Sequence, residues 1–156
     1  MEGSLPSGYK VVRNELDGWQ NSTKLSFWLA NGCLSVRRVL AELRRYEQRA
    51  GANESTYWIF FELMWREYFQ WYAHAHGKNL FARSGIHQQA PAHLATLIEP
   101  ERFSRWCSGN TDAPLVNALM RQLGRTGTLS NRGRQIVASY LVNELGHDWR
   151  YGARWF

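Results

Sequence analysis

A chain of 156 residues with 44% hydrophobic content has the length of one domain and enough apolar side chains for its own core. Its net charge of +6 and pI near 9.7 favour a polyanionic partner, and two cysteines without a CxxC pair or Cys/His zinc spacing exclude a disulfide scaffold and a structural zinc site. With no uncharged apolar stretch approaching the roughly 20 residues that cross a bilayer, and no leader-like start, the sequence reads as a soluble cytoplasmic protein with two free thiols. Eight tryptophans exceed what a core of this size requires. Stacking on planar ligands or bases is one use for them, dense packing between helices the other.

In chain order, residues 1–21 are polar and glycine-rich, with Tyr9 the only large anchor before Trp19, and they read as irregular. Ser22 is a good N-cap and Gly32 a good stop for a short helix through Ser22, Thr23, Lys24, Leu25 and Ser26. Three hydroxyls and a lysine at a helix start hold a phosphate or simply cap. Ser35 to Gly51 predicts a helix with Val36, Val39, Leu40, Leu43 and Tyr46 inward and five arginines, from Arg37 to Arg49, on a solvated face. The segment from Asn53 to Gly77 is the most aromatic, and Trp58, Glu62, Trp65, Phe69 and Tyr72 share one side of its helix. Glu62, flanked by indoles, pairs with a base or polar ligand, carries a proton, or packs under Arg66. His74 and His76 lie roughly 200° apart and share no metal.

A loop follows to Pro91, then short helices over 92–98 and from Pro100 to Cys107, and a helix from Pro114 stopped by Gly124. The final stretch, Ser130 to Phe156, predicts a helix over Gly133–Leu145 in which Ile136, Val137, Tyr140, Leu141 and Leu145 form an apolar arc. Arg132, Gln135, Ser139 and Asn143 form the polar side. Arg134 points into the apolar arc, so it answers a buried anion or snorkels past the core edge. No repeat, strand alternation, GxGxxG or P-loop is present. The fold class is all-α, a multi-helical bundle of seven or so helices in one domain over 1–156.

Four motifs coincide: STKLSxWLAxGxLS at Ser22–Ser35, ANESTYWxxFELxWRxYF at Ala52–Phe69, WxxGxT with PLVxAxMRxL at Trp106–Leu123, and TGxxSNRGRQxVAS with DWRxGAxWF from Thr126 to Phe156. Together they resemble the FAD-binding helical domain of the photolyase/cryptochrome family, in the form of its DASH cryptochrome branch. The resemblance implies that Tyr9, Ser22, Thr23, Lys24, Leu25 and Ser26 surround the FAD phosphates and that Arg134 lies beside the flavin ring. It implies a cavity for a flipped pyrimidine dimer in which Trp65 stacks on the bases, Glu62 and Asn131 hydrogen-bond the dimer edge, and Arg132, with Gln135, contacts DNA. Trp149 resembles the middle member of the tryptophan chain that photoreduces flavin, with Trp106 a second aromatic station.

Against the family pattern, the chain ends at Phe156 before the segment that supplies the Asp for Arg134, so the fold is expected to be incomplete at its C-terminal end and FAD weakly held. On the same comparison no antenna domain is expected in this chain, Thr96 stands where the exit tryptophan is usual, and Phe27 and Val36 replace prolines. A face carrying Trp58, Phe61, Trp65 and Trp149 is expected to be bare, open to self-association or to a complementing chain. The implied function is light-driven repair of cyclobutane pyrimidine dimers, with a preference for single-stranded DNA. A lyase of the deoxyribodipyrimidine photolyase type is expected where the C-terminal segment is supplied. A non-catalytic DNA- or flavin-binding module and a flavin photoreceptor fragment are the alternatives.

Overall fold

The computed structural model describes residues 5–89 and 99–156. Among these, eight α-helices and no strand are present. Residues 1–74 and 75–156 each form a compact unit. The helix expected over 92–98, and Thr96 with it, lies outside the described residues.

In the first unit, α1 (Leu5–Val12) forms where the sequence reads as irregular. Distant partners hold it: Ser7 Oγ shares a 2.7 Å hydrogen bond with the Tyr46 hydroxyl, Asn53 Nδ2 donates to the Ser7 carbonyl at 3.0 Å, and the Lys10 amide donates to Ser55 Oγ at 3.1 Å. No local pattern announces contacts 39 to 46 residues away. Helix α2 (Leu25–Ala30) begins later than Ser22, with Lys24 as its N-cap residue in the left-handed region at φ 52°. Helix α3 (Val36–Ala50) matches its signals, since Ser35 Oγ accepts from the Arg38 amide and Gly51, at φ 85°, ends it. Helix α4 (Glu54–His76) opens on a reciprocal cap. Asn53 Oδ1 accepts from the Thr56 amide at 3.0 Å while Thr56 Oγ1 accepts from the Asn53 amide at 3.1 Å. Leu29, Val39 and Leu63 form the core of this unit, extended by Leu25, Leu34, Val36 and Leu40.

The second unit begins with a 3-10 turn, Gly77–Phe81. Helix α5 (Pro100–Ser108) packs on α6 (Pro114–Thr126), and α6 on α7 (Asn131–Ser139). Gly124 does not stop α6, which runs on until Gly127 takes the left-handed cap at φ 64°. After α7 the backbone widens into a π turn, Tyr140–Glu144, in which the Leu145 amide donates to the Tyr140 carbonyl at 3.0 Å, before α8 (Trp149–Trp155). Trp106, Met120, Val137 and Leu141 are almost wholly buried at the centre. The Trp106 indole N–H donates to the Val137 carbonyl at 3.1 Å and so ties α5 to α7. A Cβ on Gly133 would come within 3.0 Å of Leu119 and Leu129 side chains, so a glycine lets α7 approach this closely. No helix among the described residues is long and apolar enough to cross a membrane.

Candidate functional site

The expected site residues fall into two sets, one in each unit. In the first, α4 carries Trp58, Glu62 and Trp65 on adjoining turns, and α1 with its following residue brings Tyr9 and Arg13 to them. Glu62 forms an ion pair with Arg13, whose guanidinium lies 5.4 Å from the Trp58 ring centre and 5.9 Å from that of Tyr9. Arg66 is engaged elsewhere, with Glu67 and the Leu29 carbonyl, so Glu62 does not pack under it as one reading had it. Burial pushes the Tyr9 hydroxyl above its usual pKa, and the nearby Glu62 charge adds to the shift. Arg13 went unnoticed in the sequence because its spacing from Tyr9, i to i+4, has meaning only once α1 is a helix.

Trp65 is 43% exposed and stacks on Phe69, with centroids 5.7 Å apart. Around it, Tyr57, Met64, Tyr68 and Trp71 are also exposed, whereas Trp58 and Phe61 are half-buried rather than bare. The bulk of an aromatic helix is thus presented to solvent through residues its own core does not use. At the start of α2 no side chain caps the first turn. Ser22 and Ser26 are exposed there and Thr23 half-buried. Ser22 Oγ accepts from the Lys24 amide at 3.2 Å, and the Lys24 ammonium folds back onto the Trp19 carbonyl, 4.1 Å from that ring's centre.

In the second unit Ser130 caps α7, its hydroxyl accepting from the Gly133 amide at 3.0 Å. Asn131 is the first helical residue and is exposed, next to Arg132 and Gln135, which are joined by a 3.0 Å hydrogen bond. Arg132, Gln135, Ile136, Ser139, Tyr140 and Glu144 line a shallow groove of about 350 Å³. Arg134 is exposed and not buried as its arc suggested. The inward direction of α7 is set by Gly133 and Val137, and Arg134 stands roughly 90° from the centre of that face, at its border.

Trp106 is fully buried, stacked on Phe103 at 5.7 Å and edge-on to Phe156 at 6.0 Å. Trp149 is the first residue of α8 and partly exposed. Before it, Asp148 caps α8 and holds Arg150 through a two-pronged pair, 2.6 Å at its shortest. Those hydrogen bonds hold the Asp148 carboxyl below its usual range. His147 is buried with neither ring nitrogen hydrogen-bonded among the described residues, and desolvation lowers its pKa.

The family model for the FAD binding domain of DNA photolyase matches residues 58–156. The chain belongs to the photolyase/cryptochrome family. Among its relatives, the DASH cryptochrome of Idiomarina loihiensis is 58% identical over 99% of this chain and 34% of its own length, and that of Xenopus laevis 44% identical over 99% and 29%. The crystal structure of the Synechocystis cryptochrome superposes with a TM-score of 0.90 at 46% identity, over 98% of this chain and 31% of the other. A bacterial class III photolyase from Agrobacterium tumefaciens gives a TM-score of 0.76 at 29% identity, over 99% and 31%. The chain spans about a third of the length of the curated relatives it matches.

Membership in this photolyase/cryptochrome domain family makes FAD the cofactor. The residues present fit its phosphate half. The first turn of α2 has no side-chain cap, so its N–H groups, with the hydroxyls of Ser22, Thr23 and Ser26, are a donor set suited to a diphosphate.

Proposed function

We propose that this chain is the flavin- and DNA-handling part of a DASH-type cryptochrome/photolyase that repairs cyclobutane pyrimidine dimers, with single-stranded DNA preferred. The observation that carries the reading is Trp65, a large indole left 43% exposed on a rigid helix directly beside a paired carboxylate. A surface indole stacks on any base, and a dimer edge presents amide N–H groups suited to the Glu62 carboxylate on the same helix. Reduced FAD, when bound, supplies the photoexcited electron for ring splitting. The chain's own residues do the rest. Thr23, Ser26 and the α2 amides hold the phosphates, Trp65 orients the flipped bases, and Arg132 with Gln135 binds the strand. Trp149 and Trp106 are proposed as aromatic relay stations. Single strands are preferred because an unpaired base costs less to seat than one extracted from a duplex stack, by roughly a few kcal/mol. Two free thiols support a reducing cytoplasmic setting.

The test is a single-stranded oligonucleotide carrying one thymine dimer, mixed with the chain and FAD under blue light. The expected result is light-dependent recovery of the ultraviolet absorbance of intact thymines, and tighter binding of this oligonucleotide than of an undamaged one. Absence of both effects would overturn the reading.

A further inference from the structure

Helix α4 has three faces, and the roles above use two of them. At about 100° per residue, Ser55, Ile59 and Leu63 mark the buried face, and Trp58, Glu62, Trp65, Phe69 and Tyr72 mark a second, roughly 120° away. Tyr57, Phe60, Met64, Tyr68 and Trp71 form a third stripe, about 80° wide and roughly 120° from each of the others. These five are between 37% and 69% exposed, and none carries a charge. Each offers roughly 100 Å² of open surface, or about 500 Å² in all, and contiguous apolar areas of that size are rarely left bare. Ring contacts within the helix, Tyr57 to Phe60 at 6.1 Å and Tyr68 to Trp65 at 5.5 Å, hold the stripe in place, so covering it costs little side-chain freedom.

The spacing selects the occupant. From Tyr57 the stripe reads i, i+3, i+7, i+11 and i+14, the same order of steps in either direction, with Met64 at its midpoint. A two-fold interface requires a surface complementary to its own reversed copy. Laid antiparallel about Met64, two α4 helices match Tyr57 with Trp71, Phe60 with Tyr68 and Met64 with itself. Large rings meet at the outer positions, and an adaptable thioether sits at the axis. Steps of three and four residues are also those by which the side chains of paired helices interleave. Glu67 borders the stripe but is paired with Arg66, and Glu54 before it with Lys10, so closure strands neither carboxylate. Two copies bury about 1,000 Å², the lower bound of a specific interface. A nucleic-acid strand fits less well, because the stripe offers phosphate no cation. A membrane surface also fits less well, because α4 has three glutamates against one arginine and lacks a basic flank.

We infer that the stripe from Tyr57 to Trp71 is the contact of a two-fold dimer, in which the α4 helices of two copies pack antiparallel about Met64. The inference is independent of the flavin and DNA reading, since Glu62 and Trp65 lie on another face.

The test is sedimentation equilibrium of the chain, without flavin or DNA, from about 1 to about 200 µM. The mass should rise from 18.2 kDa toward twice that, half-way at a concentration on the order of 10 µM, as suits an interface of this size. Met64→Arg sets like charges against each other at the axis and should weaken association at least about tenfold, with the melting temperature unchanged because position 64 is exposed. Phe69→Arg, on the second face, should dimerise like the wild type. In a Cys33→Ser/Cys107→Ser background, mild oxidation should cross-link Met64→Cys to its own copy and leave Tyr57→Cys unlinked, since the two copies of position 57 stand roughly 21 Å apart in the antiparallel pair. A monomer at the highest concentration, equal association of wild type and Met64→Arg, or self-linking of Tyr57→Cys as fast as Met64→Cys would overturn the inference. A monomer that binds a hydrophobic dye, with the binding lost in Met64→Arg, would overturn it in favour of a different partner on the same face.

Discussion

Replacing Trp106 by Phe separates a structural role for this indole from a purely aromatic one. A phenyl ring keeps the stack on Phe103, which a relay station needs, but it removes the N–H that donates to the Val137 carbonyl at 3.1 Å in a fully buried setting. Losing that bond costs about 1–1.5 kcal/mol, and no more because the Val137 carbonyl keeps the Tyr140 amide as a partner. The smaller ring also vacates roughly 40 Å³, worth about 1 kcal/mol at about 24 cal/mol per Å³ of cavity. The expected total is about 2–2.5 kcal/mol, a large share of the roughly 5–15 kcal/mol that holds a domain together. Urea unfolding followed by far-ultraviolet circular dichroism should show a lower midpoint with an unchanged slope. A loss below about 0.5 kcal/mol would refute the tie between α5 and α7 as a source of stability.

Substituting Ala at both Thr23 and Ser26 should weaken FAD binding by about 1–3 kcal/mol in a flavin-fluorescence titration, with the melting temperature of the free chain unchanged. Trp65→Ala should weaken single-strand binding by about 1–3 kcal/mol in anisotropy titrations, whereas Arg44→Ala on α3 should act only through overall charge. Stability should fall on acidification in two steps. The folded-state pKa values of His147 and Asp148 both lie below their ordinary 6.5 and 3.8, so the unfolded chain binds these protons first, and each contribution is present above the ordinary value and lost as pH drops through the folded one. Thermal melts from pH 8 to pH 3 check this, and His147→Leu should remove the upper step alone. Gly133→Val should destabilise the second unit by about 1–3 kcal/mol, measured by urea unfolding, since even the first added carbon meets Leu119 and Leu129.

Much of the helical architecture is legible because its signals are local. Ser35 and Gly51 bracket α3, Asn53 and Thr56 open α4, Pro100 and Pro114 begin their helices, and each of these works within a turn of itself. Where the reading went astray, the deciding contact was distant or competed with a second local signal. Helix α1 is short and glycine-bearing, and it takes its place from Tyr46, Asn53 and Ser55. Gly124 looked like a stop, but a glycine inside a helix costs only about 1 kcal/mol. Gly127 offers the left-handed conformation three residues later.

The site shows the same division at higher stakes. Helical spacing suffices to put Trp65, Arg132 and Gln135 on exposed faces and Glu62 on a half-buried one, whereas the roles given to them come from the family resemblance. Arg134 was misplaced by a helical wheel that measured which residues are apolar without knowing which are covered. Gly133 and Val137 define the covered side, and Arg134 lies at its edge. Glu144 is the harder case. A wheel drawn at constant pitch turns it away from the groove, and only a change of pitch at Tyr140 returns it. No propensity in Tyr140-Leu141-Val142-Asn143-Glu144 demands that change. The left-handed Gly146 and the His147 amide, which donates to the Leu141 carbonyl at 3.1 Å, terminate the helix from beyond it. The extra residue is then accommodated by the turn before them. The pitch of that turn, and with it the direction of Glu144, is therefore set by how the chain leaves α7, and a substitution at Gly146 should alter the groove without touching any residue that lines it.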